Sequence, residues 1–290
     1  MVKMRKRSIL NRAICAIITL LLIFELLIVF SITILKQTIG SKEYLLAELD
    51  KTNYYAMTKS EIESSFRNYV LQSNLDDDTV KDIVSVEKIK EDTLVIIDNA
   101  YDGHKQEIDV KSIKEELSNR IHDKVKNEYN ITITESEEKD IETLVDVIIQ
   151  NYKDHIEIVK AVISTVASIS SKLDMIKNTY LIAGYAAIGI TCVILSVIYI
   201  IGCKNKKAFI NKYQGIAFMT SGTMLVITNI AFGFFIKESE IGLFTKGITA
   251  LIIDIVQNIR FEVMLFGIIL FVIGVFLSII KNVLIKEYLR

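Results

Sequence analysis

The sequence predicts an all-α protein with four transmembrane helices and a helical extracytoplasmic domain between the first and second spans. Three observations lead there. Four apolar blocks, at 9–35, 180–202, 215–236 and 261–280, each reach about the 20 residues a helix needs to cross a bilayer core about 30 Å thick. The stretch 36–179 between the first two blocks is polar, and its apolar residues recur at helical rather than alternating spacing. Charge is sorted along the chain: 36–179 holds 29 Asp and Glu against 19 Lys and Arg, leaving 6 acidic and 15 basic groups elsewhere. The overall net charge of −1 hides that asymmetry.

A basic cytoplasmic N-terminus (1–8) precedes the first span (9–35). Its apolar run is too long for the h-region of a cleaved signal peptide, which is about 7–15 residues, and no small-residue cleavage site follows. It therefore reads as a retained anchor. Glu25 lies near its centre, where an ionised carboxylate is costly. It is either an ion- or proton-linked site or a carboxyl that locks helix packing, with Asn229 or a Thr as partner.

The segment 36–179 reads as helices separated by short polar breaks. Leu45, Leu49, Ile62, Phe66, Tyr69 and Val70 mark an amphipathic segment that extends from the first span. Asp76 to Asp78 cap a short helix with Val80, Ile83 and Val84 on its inner face. Ser85 precedes a helix bearing Ile89, Leu94, Ile97 and Tyr101. Asp102-Gly103 is a turn, and Asp109 begins a helix with Ile113, Leu117, Ile121 and Val125. Only 107–110 and 131–134 alternate like strands.

Thr134 and Glu137 form a capping box for the longest helix. Its apolar stripe is Ile141, Val145, Ile148, Tyr152, Ile156, Val159, Ile163, Val166, Ile169, Leu173 and Ile176, in steps of three and four. The helix is expected to continue unbroken into the second span (180–202). The stripe serves either as intramolecular core, pairing with 41–72 as a stalk, or as a homotypic coiled-coil seam.

A basic cytoplasmic loop (203–214) precedes the third span (215–236), which carries Gly215, Gly222, Asn229 and Gly233 on one face. The fourth span (261–280) carries Gly267, Gly274 and Ser278 in the same manner, and the second adds Ala183, Ala187 and Thr191. Small residues on one face let bilayer helices approach closely. In the extracytoplasmic loop 237–260, Ile248, Leu251, Ile252, Ile255, Val256 and Ile259 face one way, and Asp254, Gln257, Asn258 and Arg260 the other. This amphipathic helix suits either the outer lipid surface or the foot of the outward domain. A basic cytoplasmic C-terminus (281–290) closes the chain. By the positive-inside rule, both termini and 203–214 are cytoplasmic and 36–179 faces outward.

Cys15, Cys192 and Cys203 all lie outside 36–179, so no disulfide framework staples that domain. Phosphate-binding glycine loops, nucleophile elbows and zinc-type Cys/His spacings are absent from the sequence. His104, His122 and His155 are widely separated. Asp98, Asp102, Gly103 and Asp109 match a calcium loop in part, but Ala100 occupies a ligand position and the twelfth residue is not Glu. Asn130-Ile131-Thr132 is a glycosylation sequon, relevant only in a eukaryotic secretory route. No catalytic, cofactor-binding or metal site is expected. The expected partners are the lipid bilayer and a protein partner or second copy, not nucleic acid.

The order of one span, an outward domain and three more spans, with both termini inside, resembles the permease subunits of cell-division and macrolide-efflux type ABC transporters. That resemblance implies a separate cytoplasmic ATPase. It rests on topology alone: the outward domain here reads as helical where theirs is mixed α/β, and proline is absent. The chain also resembles four-span membrane proteins of low-GC Gram-positive bacteria whose activities are uncharacterised. The expectation is a non-enzymatic plasma-membrane accessory or assembly component, with a permease or channel subunit as the alternative.

Overall fold

The computed structural model describes residues 2–128, 133–203, 212–235 and 245–286, and the side chains of most of them. Nine α-helices lie among the described residues: α1 (Val2–Thr38), α2 (Lys42–Lys51), α3 (Tyr54–Gln72), α4 (Val86–Tyr101), α5 (Lys111–Asp123), α6 (Glu135–Asp174), α7 (Asn178–Cys203), α8 (Lys212–Phe235) and α9 (Lys246–Lys286). No strand occurs among the described residues, and 107–110 is irregular. Four helices are long and apolar enough to cross a membrane, at Ile9–Thr38, Asn178–Ile201, Lys212–Phe234 and Lys246–Ile280. The sequon at 130–132 and the basic loop at 204–211 lie outside the described residues, as does the side chain of Cys203.

The chain divides into two units. The first, an apolar bundle, comprises Met1–Thr38, Lys172–Lys237 and Val256–Arg290. Here α1 packs against α7 and α8 around Leu22, Leu26, Leu195, Ala217 and Leu270. Helices α8 and α9 cross at their glycines. A Cβ on Gly222 would stand 2.4 Å from the Gly267 carbonyl oxygen, and one on Gly274 would stand 2.8 Å from that of Gly215. Backbone therefore meets backbone, which only small residues permit.

The second unit, Ile39–Ser171 with Glu238–Ile255, is a polar helical domain with its own core. Local chemistry sets many of its boundaries. Ser41 Oγ accepts from the Tyr44 N–H and Ser85 Oγ from the Lys88 N–H, both at 3.0 Å, capping α2 and α4. The Glu137 carboxylate accepts from the Thr134 N–H at 2.7 Å, closing the capping box of α6. With no proline in the chain, asparagine turns it instead. Asn53 adopts φ 52° between α2 and α3, so the amphipathic segment expected to run on from the first span is two helices. Asn74, at φ 57°, ends α3 in a Schellman motif, with Leu75 N–H donating to Val70 O and Asn74 N–H to Leu71 O. Asparagine tolerates this left-handed conformation better than other non-glycine residues. A 3₁₀ turn at Asp77–Thr79 then leads to buried Val80, Ile83 and Val84.

Three further expectations need correction. The long helix is not continuous into the second span; it stops at Asp174 and α7 starts at Asn178. Neither Gly nor Pro marks this break. Instead Lys36 Nζ, from α1, donates to the freed Ile176 carbonyl at 2.7 Å and to Asn178 Oδ1 at 3.3 Å. Ile176 is therefore in the break, not on the α6 stripe.

The stripe also shifts phase. Ile141, Val145, Ile148, Tyr152, Ile156, Val159, Ile163 and Leu173 are buried, but Ile169 is 40% exposed and Val166 only half-buried. Ala167 and Ser170 take their places, because steps of 3.6 residues from Ile163 fall nearer 167 and 170. Small side chains there let the chain approach closely: Ser170 Oγ donates to the Gly40 carbonyl at 2.9 Å.

Finally, no helix boundary separates 246–260 from 261–280. One helix runs from Lys246 to Lys286.

Candidate functional site

The first candidate is the intramembrane polar pair, Glu25 and Asn229. The structure gives each a different partner. Glu25 Oε1 accepts from Thr191 Oγ1 of α7 at 3.1 Å, so its partner is a threonine. Its Oε2 is buried with no hydrogen-bond partner among the described residues. Asn229 is buried and its Oδ1 accepts from Arg260 Nε at 3.2 Å. The Arg260 guanidinium lies against Gly233, where a Cβ would stand 2.3 Å from Nη2. The sequence pattern put Arg260 on the polar side of a surface helix. Helix continuity instead carries it into the bundle, where Gly233 leaves room for its planar head and Asn229 accepts its proton.

A further polar contact joins α7 to α8. Gln214, buried, donates from Nε2 to the Cys192 carbonyl at 2.8 Å and to Ser196 Oγ at 2.9 Å. Side-chain amides that bridge helices in this way are used in bilayers because an unsatisfied polar group in hydrocarbon is costly. Gly215, Gly222, Gly267, Gly274 and Ser278 line the α8–α9 crossing, where a Cβ on Gly215 would stand 2.4 Å from Ser278 Oγ.

In the polar domain the stripe of α6 is core, and one of its members carries a buried charge network. Asp92 of α4 is 1% exposed. One carboxylate oxygen accepts from Lys88 Nζ at 2.8 Å, and the other accepts the hydroxyl proton of Tyr152. A buried carboxylate requires such pairing. Nothing in the spacing of the sequence announced this. Tyr152 reads as one more apolar position of the stripe, and Asp92 has no place in the apolar pattern. The i,i+4 relation of Lys88 to Asp92 was the available signal.

The amphipathic segment at the start of α9 packs on this same domain. Ile248, Leu251 and Ile255 are buried, and Gly247 fits against Tyr54 and Thr58 of α3. Glu61 of α3 accepts from the Lys246 N–H and so caps the N-terminus of α9 from outside. Lys51 Nζ lies 2.7 Å from Asp254 Oδ2 and 3.3 Å from Glu48 Oε2.

Two charge arrangements bear on the partial calcium-loop match, which was not expected to be a metal site, and on the histidines. Asp98 and Asp102 both bind Lys42, at 2.8 and 2.5 Å, and Asp102 is held below the ordinary carboxylate range by its hydrogen bond to that lysine. His122 joins α5 to α6: Nδ1 faces the Ser118 carbonyl at 2.7 Å, and Nε2 faces Glu138 Oε1 at 2.9 Å. Both ring nitrogens meet acceptors, so the protonated ring, with two donors, satisfies both. The carbonyl of Ser118 first, and then Glu138, raise the His122 pKa above its ordinary value, against the opposing effect of burial.

Among the described residues no group of three or more His, Cys, Asp or Glu side chains could hold a metal ion. No protein-family model, curated protein or solved structure matches the chain.

Proposed function

We propose that this chain is a multi-pass plasma-membrane protein with both termini on the basic, cytoplasmic side, residues 36–179 facing outward, and a non-enzymatic role as an accessory or assembly component. The outward domain is the part that meets a protein partner. The observation that carries this reading is a second apolar line on α6, about a third of a turn round from its buried stripe. Val147, Ile158 and Ile169 are each about 40% exposed and recur every eleven residues, which is three helical turns, so they share one face. Exposed apolar side chains aligned on one face mark contact surfaces more often than isolated ones do.

The test is purification of the full chain from native membranes in mild detergent, with every co-purifying chain identified. A stoichiometric partner that is lost in the Val147→Ser/Ile158→Ser/Ile169→Ser variant, with unchanged thermal stability, supports the reading. A chain that purifies alone, or a complex indifferent to those substitutions, refutes it.

A second reading, a permease or channel subunit, is favoured by one observation: the Glu25 carboxyl inside the apolar bundle, with one oxygen buried and without a hydrogen-bond partner among the described residues. A stoichiometric cytoplasmic ATPase in the same purification would support it. Glu25→Gln should then change a flux or a coupled ATPase rate, and unaltered transport would remove that role.

A further inference from the structure

Between α4, the 106–110 segment and α6, the polar domain holds a surface cavity of about 280 Å³. Its floor is apolar: Ile96 of α4 and Tyr152 and Ile156 of α6 line it, each at most 4% exposed. Tyr152 is fixed there by its hydroxyl's bond to Asp92. The 106–110 wall adds Ile108 and Val110, both half-buried.

That wall has no regular secondary structure, yet it is tied to α4. Asn99 Oδ1 accepts from the Gln106 N–H at 2.9 Å, and Asn99 Nδ2 donates to the Gln106 carbonyl at 2.7 Å. A side-chain amide that meets both backbone groups of one residue stands in for a strand partner and holds that residue in place. The cavity is therefore shaped before a ligand enters, which lowers the ordering cost of binding.

The rim is charged. Lys160 and Glu157, both on α6, neutralise each other at 3.1 Å. That leaves Lys153 on α6 and Glu107 on the 106–110 wall. Both line the cavity, and neither forms an ion pair with the other or with any other described residue. A ligand with a single charge would leave one of them unmet. A ligand with two opposite charges meets both, its carboxylate on Lys153 and its ammonium on Glu107, with its apolar body on the floor. A volume just below the usual small-molecule range of about 300–1,000 Å³ limits that ligand to about one or two amino acids.

We propose that this cavity binds a small zwitterion with an apolar body, the chemistry of an apolar amino acid or a short apolar peptide. The inference goes beyond the assembly reading, and either can fail alone, because Val147, Ile158 and Ile169 do not line the cavity.

The experiment is a saturation-transfer NMR titration of the full chain in lipid nanodiscs. The probes are leucine, leucyl-leucine, their glycine counterparts and two analogues of single charge, leucinamide and N-acetyl-leucine. Leucine or leucyl-leucine should bind saturably, and the tighter of the two names the source. The glycine counterpart of the tighter one should bind at least about tenfold more weakly, since it lacks the apolar body. Lys153→Gln should weaken the zwitterion and N-acetyl-leucine about three- to fivefold, the scale of an exposed charge pair, and leave leucinamide unchanged. Glu107→Gln should weaken the zwitterion and leucinamide to the same degree and leave N-acetyl-leucine unchanged. Both side chains are exposed, so neither substitution threatens the fold. No saturable binding of either zwitterion up to about 10 mM, equal affinity for the glycine counterpart, or losses that ignore the charge of the analogue would overturn the proposal.

Discussion

Replacing Tyr152 with Phe removes one oxygen from the fully buried middle of α6 and tests the charge network there. The ring, its burial and its packing stay; only the donor to Asp92 goes. Asp92 is 1% exposed, so water cannot take the hydroxyl's place without opening α4 from α6, and one carboxylate oxygen is left without a donor. Losing a hydrogen bond to a charged buried group costs about 1.5–3 kcal/mol, or roughly 10- to 150-fold in a local opening equilibrium. Asp92→Leu should cost a similar amount, chiefly because it orphans the Tyr152 hydroxyl; Lys88 is better able to turn to solvent, being 19% exposed. The double variant replaces both buried partners by apolar groups. Its cost should fall short of the two single costs added together by about 1.5 kcal/mol or more, because each single change strands the other group. The assay is hydrogen exchange at the 93–97 and 149–156 amides of the full chain in detergent. A Tyr152→Phe loss of protection under about threefold, or strictly additive costs, would refute the view that Asp92 depends on Tyr152.

Three further outcomes follow from other parts of the chain. The folded His122 pKa lies above the ordinary His value of about 6.5, so the α5–α6 latch contributes fully below that value and is lost as pH rises through the raised one. Exchange at the 118–123 amides should therefore speed up by more than its intrinsic pH dependence as pH rises through the raised value in the wild type, and not in His122→Gln. At the α8–α9 crossing, Gly222→Ala places a Cβ 2.4 Å from the Gly267 carbonyl oxygen and should lower the detergent melting temperature through about 1–3 kcal/mol of overpacking. Gly189→Ala, which meets nothing within 4 Å, should not lower it, and equal losses at both sites would refute the crossing. Ser85→Ala should cost about 1 kcal/mol, seen as faster exchange in the first turn of α4, since Ser85 Oγ caps the Lys88 N–H.

The features legible in the sequence are those whose cause is local. Four apolar runs imply four spanning-length helices because a helix satisfies its own backbone inside a bilayer, whatever surrounds it. Ser85, Thr134 with Glu137, and Gly103 mark helix ends through side chains and backbone within three residues of the site they act on. The α6 stripe down to Ile163 follows from period alone. Small residues at Gly222 and Gly267 announced a close crossing, although not which faces would meet.

What only the tertiary structure decided has causes far apart in sequence. Lys36, 140 residues away, takes the Ile176 carbonyl that the break between α6 and α7 leaves free. Ala167 and Ser170, not Val166 and Ile169, face the core because a straight helix keeps its phase while the apolar letters drift from it. The segment 246–255 had a choice between lipid and protein that its own amphipathicity does not resolve. Glu61, Tyr54 and Lys51, supplied by α2 and α3, resolve it. Asn229 and Glu25, the two polar residues read as one candidate site, part company: Arg260 donates to Asn229 and Thr191 to Glu25. Periodicity tells a helix which side to bury; the partner it meets there is chosen by residues that only the folded chain brings within reach.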